Sequence, residues 1–215
     1  MSVYLPPKLK KTKSMTFTEI ALRIFGESIK SYHETDYVDS VMPNPYKSDS
    51  IEYDLFKKNW IDTVQWHLED LIRAPEINAD VALTLKRRID KSNQERTDLV
   101  EKIDDFFLKL FSVVKVSTDA VLNTESPAWA LDRLSILVLK IYHMNVEVNR
   151  SEVSLDHVEK CKQKLGILLE QQDDLTKSIN QLLEDIEKGK RYMKVYRQMK
   201  MYNDPSLNPS LYKNI

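Results

Sequence analysis

Lys86, Asp90 and Asn93 follow one another at helical spacing in "LKRRIDKSNQERTDLVEKID", residues 85–104, with Arg96 flanking the row. Continued down the chain, the same row becomes Val100, Phe107, Phe111 and Val114, an apolar stripe. Polar residues on a line that is otherwise buried must find partners, because an unpaired charge in a low-dielectric interior costs several kcal/mol. Two other segments supply mixed-sign groups. "WHLEDLIR" places Trp66, Glu69 or Asp70, and Arg73 on one helical face. "AWALDRLSILVLK" carries Asp132, Arg133 and Lys140. Arg73, Lys86, Asp90, Asn93, Arg96, Asp132, Arg133 and Lys140 therefore form the candidate ligand-binding set. Basic groups outnumber spare carboxylates in it, which suits an anion, since guanidinium forks clamp phosphate or carboxylate through two parallel hydrogen bonds. The same residues could instead fix the register between long helices with no ligand at all.

Catalytic templates are missing. The chain has no Gly-rich phosphate loop, no His-Glu-x-x-His, no Gly-x-Ser-x-Gly and no Cys/His nucleophile arrangement. Glu95 with Asp98 and Glu101 with Asp104 are acid pairs at i, i+3, but the second helix answers only with adjacent Glu69 and Asp70, which does not complete a magnesium site. The Glu-x-x-His motifs of a di-iron bundle are absent. No metal site and no cofactor are expected. His67 and His143 read as boundary histidines, His33 and His157 as surface ones, and Trp60, Trp66 and Trp129 as core or boundary aromatics. The single Cys161 has no cysteine or zinc-type neighbour and reads as a packing residue in a reducing compartment.

Helices must position these groups. Only 3 glycines in 215 residues, with abundant Leu, Ile, Lys, Glu and Gln, argue for an all-α fold. Five helices are predicted. The first covers residues 16–32, with Phe17, Ile20, Ala21, Ile24 and Phe25 on one face. Residues 34–50, with Pro43 and Pro45, form a loop long enough to act as a lid or strap. The second helix covers 50–73, with Phe56, Trp60, Val64, Leu68 and Leu71 as its stripe, and the third runs from an Asn78 cap to about 116. The fourth opens at Thr124 or Ser126 with Pro127 in its first turn, and its apolar residues wrap most of its circumference, so it is central and buried. The fifth starts near Ser154 with a near-heptad row from Leu155 to Ile186. "YMKVYRQMKMY" can prolong it until Asp204-Pro205. The expected architecture is an elongated bundle with long antiparallel coiled-coil-like helices. Residues 1–14 are expected to be a disordered arm, 15–203 one domain and 204–215 a C-terminal tail.

With 32 Lys and Arg against 33 Asp and Glu, no global field recruits nucleic acid or a membrane surface. The basic, tyrosine-interleaved stretch 188–202 is the local exception, and packing of its aromatics onto the bundle explains it more simply than a nucleic-acid interface. No secretory signal and no membrane span is read, so the expected location is cytoplasmic, without membrane insertion.

"WHLEDLIRAPEI", "LKRRIDKSNQERTDLVEKID", "PAWALDRLSILVLKIYHM" and "YRQMKMYNDPSLNPSLY" together resemble an uncharacterised all-helical bacterial family, common in Bacteroidetes, whose genes often lie among glycosyltransferases for envelope polysaccharide. The resemblance runs from Met15 onward, and its most distinctive parts are Asn93 to Arg96 and Asp132 to Leu137. It implies a setting, lipopolysaccharide or surface-glycan synthesis, and no mechanism. The leading expectation is a non-catalytic accessory or binding protein with a polar pocket for a phosphorylated sugar or nucleotide sugar. Asp90 and Asp132 would orient its basic groups. The alternatives are a metal-assisted hydrolase of a nucleotide sugar or lipid-linked phosphate, with Glu69, Asp70 and Asp90 at the metal, and a helical scaffold that binds a glycosyltransferase.

Overall fold

A computed structural model describes residues 15–213, so the expected arm at 1–14 lies outside the described residues. Helices dominate: α1 (Phe17–His33), α2 (Ile51–Leu71), α3 (Ala79–Leu110), α4 (Pro127–Val148), α5 (Leu155–Glu187) and a last turn, α6 (Pro209–Tyr212). Among the described residues the fold is all-α apart from two dipeptide strands. Each long helix starts on a side-chain cap: Thr16 with Glu19 in a capping box, then Ser50, Asn78, Ser126 and Ser154. These oxygens satisfy N–H groups that have no partner within the helix.

The core gathers Ile24, Phe25 and Tyr32 of α1, Leu55, Phe56 and Trp60 of α2, Val100, Ile103 and Phe107 of α3, and Leu131 and Leu134 of α4. As its nearly all-round apolar surface demands, α4 touches each of the other four long helices. The sequence missed a second central element. From Asp54 to Thr63 almost every residue of α2 is buried, polar ones included.

Three differences from expectation have physical causes. First, α3 turns its inward face through Ile89, Ser92, Val100, Ile103 and Phe107, so Lys86 and Asp90 are exposed. Counting back in sevens from Val100 loses about 20° per heptad against the true helical period. Second, Leu71 and Leu155, expected on buried stripes, are 48% and 88% exposed, the one the last residue of α2 and the other the first of α5. Third, α5 does not continue past Glu187. Gly189, at φ +67°, closes it with Gly189 N–H donating to the Ile186 carbonyl and Lys190 N–H to that of Asp185, a Schellman motif. A Cβ there would stand 2.4 Å from the Lys115 carbonyl oxygen.

Beyond Gly189 the chain forms β2 (Arg191–Tyr192), which pairs in parallel with β1 (Val121–Leu122), Val121 opposite Arg191. It then crosses the outside of α3. Arg197 reaches the Glu101 carbonyl at 3.1 Å and Asp105 at 2.5 Å, and Lys200 Nζ donates to the Asn93 carbonyl at 2.9 Å. Residues 34–50 form a second strap, held by Arg88 at the Val38 carbonyl (2.7 Å) and Asp39, and by Asn44 at the Tyr53 carbonyl (3.0 Å). Among the described residues, no helix is long and apolar enough to cross a membrane.

Candidate binding site, a cleft over a buried charge network

Where α2, α3 and α4 meet, four charged side chains are locked together. Lys58 and Asp62 face each other at i, i+4 on α2, and Lys58 Nζ also lies 2.9 Å from Asp132 Oδ1 on α4. Lys58 is only 1% exposed. Arg96 enters from α3 and donates from Nε and Nη2 to the two oxygens of Asp132, at 3.0 and 3.2 Å. Ser135 donates to Asp62 Oδ2 at 2.6 Å and accepts from Asn59 Nδ2 at 3.1 Å. Two cations thus balance two carboxylates within a shell of neutral hydrogen bonds. Burial nevertheless pushes the Asp62 carboxyl above its usual range, against the downward pull of Lys58.

One edge of this network is open. A cleft of about 320 Å³ is lined by Asp62, Gln65, Trp66, Glu69, Asp70 and Arg73 of α2, Arg96 of α3, and Ile136 and Leu139 of α4. The i, i+4 and i, i+3 spacing from Asp62 through Trp66 and Glu69 to Arg73 is what puts a carboxylate at the bottom, an indole on the wall and a guanidinium at the rim. Asp62 Oδ1 and Asn59 Oδ1 are buried without a hydrogen-bond partner among the described residues. Buried acceptors normally have one, and Asp62 is the one that lines the cleft. A wider groove between α4 and α5, about 640 Å³, has Arg133 and Lys140 on its rim with Gln171 and Asp174. None of its polar lining residues is buried, so the narrower cleft is the candidate site.

Of the residues singled out in the sequence, Arg96, Asp132 and Arg73 come together here, and Asn93 stands beside them, accepting from Gln65 at 2.9 Å. Lys86 and Asp90 do not. They pair with each other on the exposed face of α3, which also removes Asp90 from any metal set with Glu69 and Asp70. Arg133 pairs with Glu125 at 2.9 Å and, with Lys140, faces the α5 side. The expected surplus of base over acid is absent, since Arg96 meets Asp132, Arg73 meets Glu69 and Lys86 meets Asp90. Lys58, Asn59, Asp62 and Ser135 were missed. The signal was "FKKNWID", where Lys58 and Asp62 share a helical face with Leu55 and Asn59, but a single apolar stripe was assumed for α2.

Trp66 also connects the cleft to a second cluster. Its indole stacks on His143 at 4.6 Å between ring centroids, and His143 converges with His33 and His67 so that one ring nitrogen of each lies within 4.8 Å of the others. Among the described residues these three could hold a metal ion. They come from three helices, so no spacing within one segment announces them, and His33 is half-buried where a surface residue was expected.

Residues 52–195 match a family described as "Protein of unknown function (DUF4254)". No curated protein and no solved structure matches the chain.

Proposed function

The chain belongs to the DUF4254 family, and we propose that it is a non-catalytic binding protein for a phosphorylated sugar, accessory to surface-glycan synthesis. The observation that carries this reading is the cleft that opens over the Asp62–Arg96 edge of the buried charge network and has Trp66 as its wall. A bare anion suits it poorly, because Asp62, Glu69 and Asp70 face the same space as Arg96 and Arg73. A polyol suits it better. Sugar hydroxyls donate to Asp70 and accept from Gln65 and Arg96, while the apolar face of the ring lies against Trp66, Ile136 and Leu139. The phosphate then sits at the rim on Arg73, which is exposed and exchanges Glu69 for it. The cleft's volume is at the small end of the range for ligand pockets, the size of a monosaccharide phosphate. The glycan setting rests on the resemblance of the sequence to proteins encoded beside glycosyltransferases.

Thermal shift and titration calorimetry with a panel of sugar phosphates and nucleotide sugars, in the presence of EDTA, test the proposal. A ligand at a hundred times its Kd stabilises by ~2.7 kcal/mol. The expected result is a shift for a subset of the panel that Trp66→Ala and Arg73→Ala reduce while the variants stay folded. No shift from any compound at millimolar concentration refutes it.

A further inference from the structure

We infer that His33, His67 and His143 bind one borderline divalent cation of the zinc type, at a site built from α1, α2 and α4 and independent of the sugar reading above. Tetrahedral zinc with bonds of about 2.0–2.1 Å to nitrogen holds its ligand nitrogens roughly 3.3 Å apart. His33 Nε2 and His67 Nε2 already stand 3.3 Å apart. All three ligand atoms lie within 4.8 Å of one another, so the last imidazole closes the set by moving about 1.5 Å, a small ring rotation.

Contacts from outside hold the rings near this arrangement. His33 Nδ1 lies 2.7 Å from the Ile29 carbonyl and donates to it, which leaves the Nε2 lone pair turned toward His67. A backbone carbonyl on the far nitrogen is the usual support of a metal-bound histidine. Tyr32 stacks on His67 at 4.9 Å, Trp66 on His143 at 4.6 Å, and Tyr142 packs on His33 at 4.3 Å. With a face of each ring covered, the nitrogen-bearing edges are what converge.

A hydrogen bond between His67 and His33 accounts for two of these edges. It does not account for the third, because His143 Nε2 is buried with no partner among the described residues. A cation at the centre satisfies all three. The carboxylate of Asp36 has Oδ1 3.8 Å from His67 Nε2. Asp36 reaches this position through a left-handed backbone, φ 47°, at the turn after α1. Its carboxylate stands outside the three-imidazole set, so a water takes the fourth position of the cation. Imidazole-rich sets of this kind favour zinc, cobalt, nickel or copper over magnesium or calcium.

The test is a titration of the metal-stripped full chain with cobalt(II), read by visible absorption. The expected result is one equivalent bound with the intense bands of four-coordinate cobalt, displaced by one equivalent of zinc, and weakened at least ~100-fold by His67→Ala. Absence of those bands overturns the inference, as does a spectrum that His67→Ala and His143→Ala both leave intact. Should an alanine variant not fold, imidazole NMR of the wild-type chain decides. Zinc must shift the ring signals of His33, His67 and His143, and three unmoved rings overturn the site.

Discussion

Replacing Lys58 by Met removes the fully buried cation that stands between Asp62 and Asp132. Asp132 keeps both hydrogen bonds from Arg96. Asp62 keeps only Ser135 and an Arg96 nitrogen 3.9 Å away, so the penalty falls on Asp62. Breaking a buried pair by removing one partner costs about 3–5 kcal/mol, which for a chain of this size lowers Tm by about 10 °C or more. The sign with pH follows from Asp62. Its carboxyl is already raised above the unfolded value of about 3.9 by burial, and loss of Lys58 raises it further. A group raised in the folded state contributes stability that is fully present below its unfolded value and is lost as pH rises through the folded one. The deficit of Lys58→Met relative to wild type is therefore largest at pH 7 and shrinks toward pH 4. Adding Asp62→Asn removes the stranded charge and restores about 2 kcal/mol of the loss. Urea denaturation followed by circular dichroism measures all three proteins at both pH values. A loss below about 1 kcal/mol at pH 7, or the same loss with and without Asp62→Asn, refutes the reasoning.

Gly189→Ala meets both a left-handed backbone and the Lys115 carbonyl; the conformation alone costs roughly 1–2 kcal/mol, so an unchanged urea midpoint would remove Gly189 from its role in ending α5. Burial raises the Asp104 carboxyl, so its contribution to stability falls as pH rises from 4 to 7; the urea midpoint of Asp104→Asn relative to wild type should be higher at pH 7 than at pH 4, and an equal offset at both pH values contradicts that account. The double variant Lys86→Ala, Asp90→Ala removes only an exposed pair and should leave both the midpoint and sugar-phosphate binding where they were; lost binding would return these two residues to the site.

The helices were legible because their signals are local. Asn78, Ser126 and Ser154 cap where side-chain chemistry says they should, and the all-round apolar surface of α4 announced its central place. What was not legible depends on rotation and on contact between distant segments. Arg96 and Asp132 were recognised as needing partners, and they are each other's partner, 36 residues apart. Lys86 and Asp90 were placed inward by a seven-residue count that drifts around the helix. The burial of Lys58 follows from α2 being covered on several sides at once, a property of its neighbours and not of its own sequence. The three histidines illustrate the same limit, since each has an unremarkable local setting and only the packing of α1, α2 and α4 brings the rings together.

The strap formed after β2 has a consequence in time. Lys200 holds the carbonyl of Asn93, and these residues are 107 positions apart in the chain. At ~5–20 residues per second, a ribosome makes Lys200 some ~5–20 s after Asn93. Through that interval the outer face of α3, one turn from Arg96, exists without its cover. Both partners of the Arg96–Asp132 pair thus exist before the segment that fastens α3 from outside has been made. Order of synthesis therefore gives the internal ion pairs the first opportunity to set the register of α3, and the strap arrives to fasten a helix already in place.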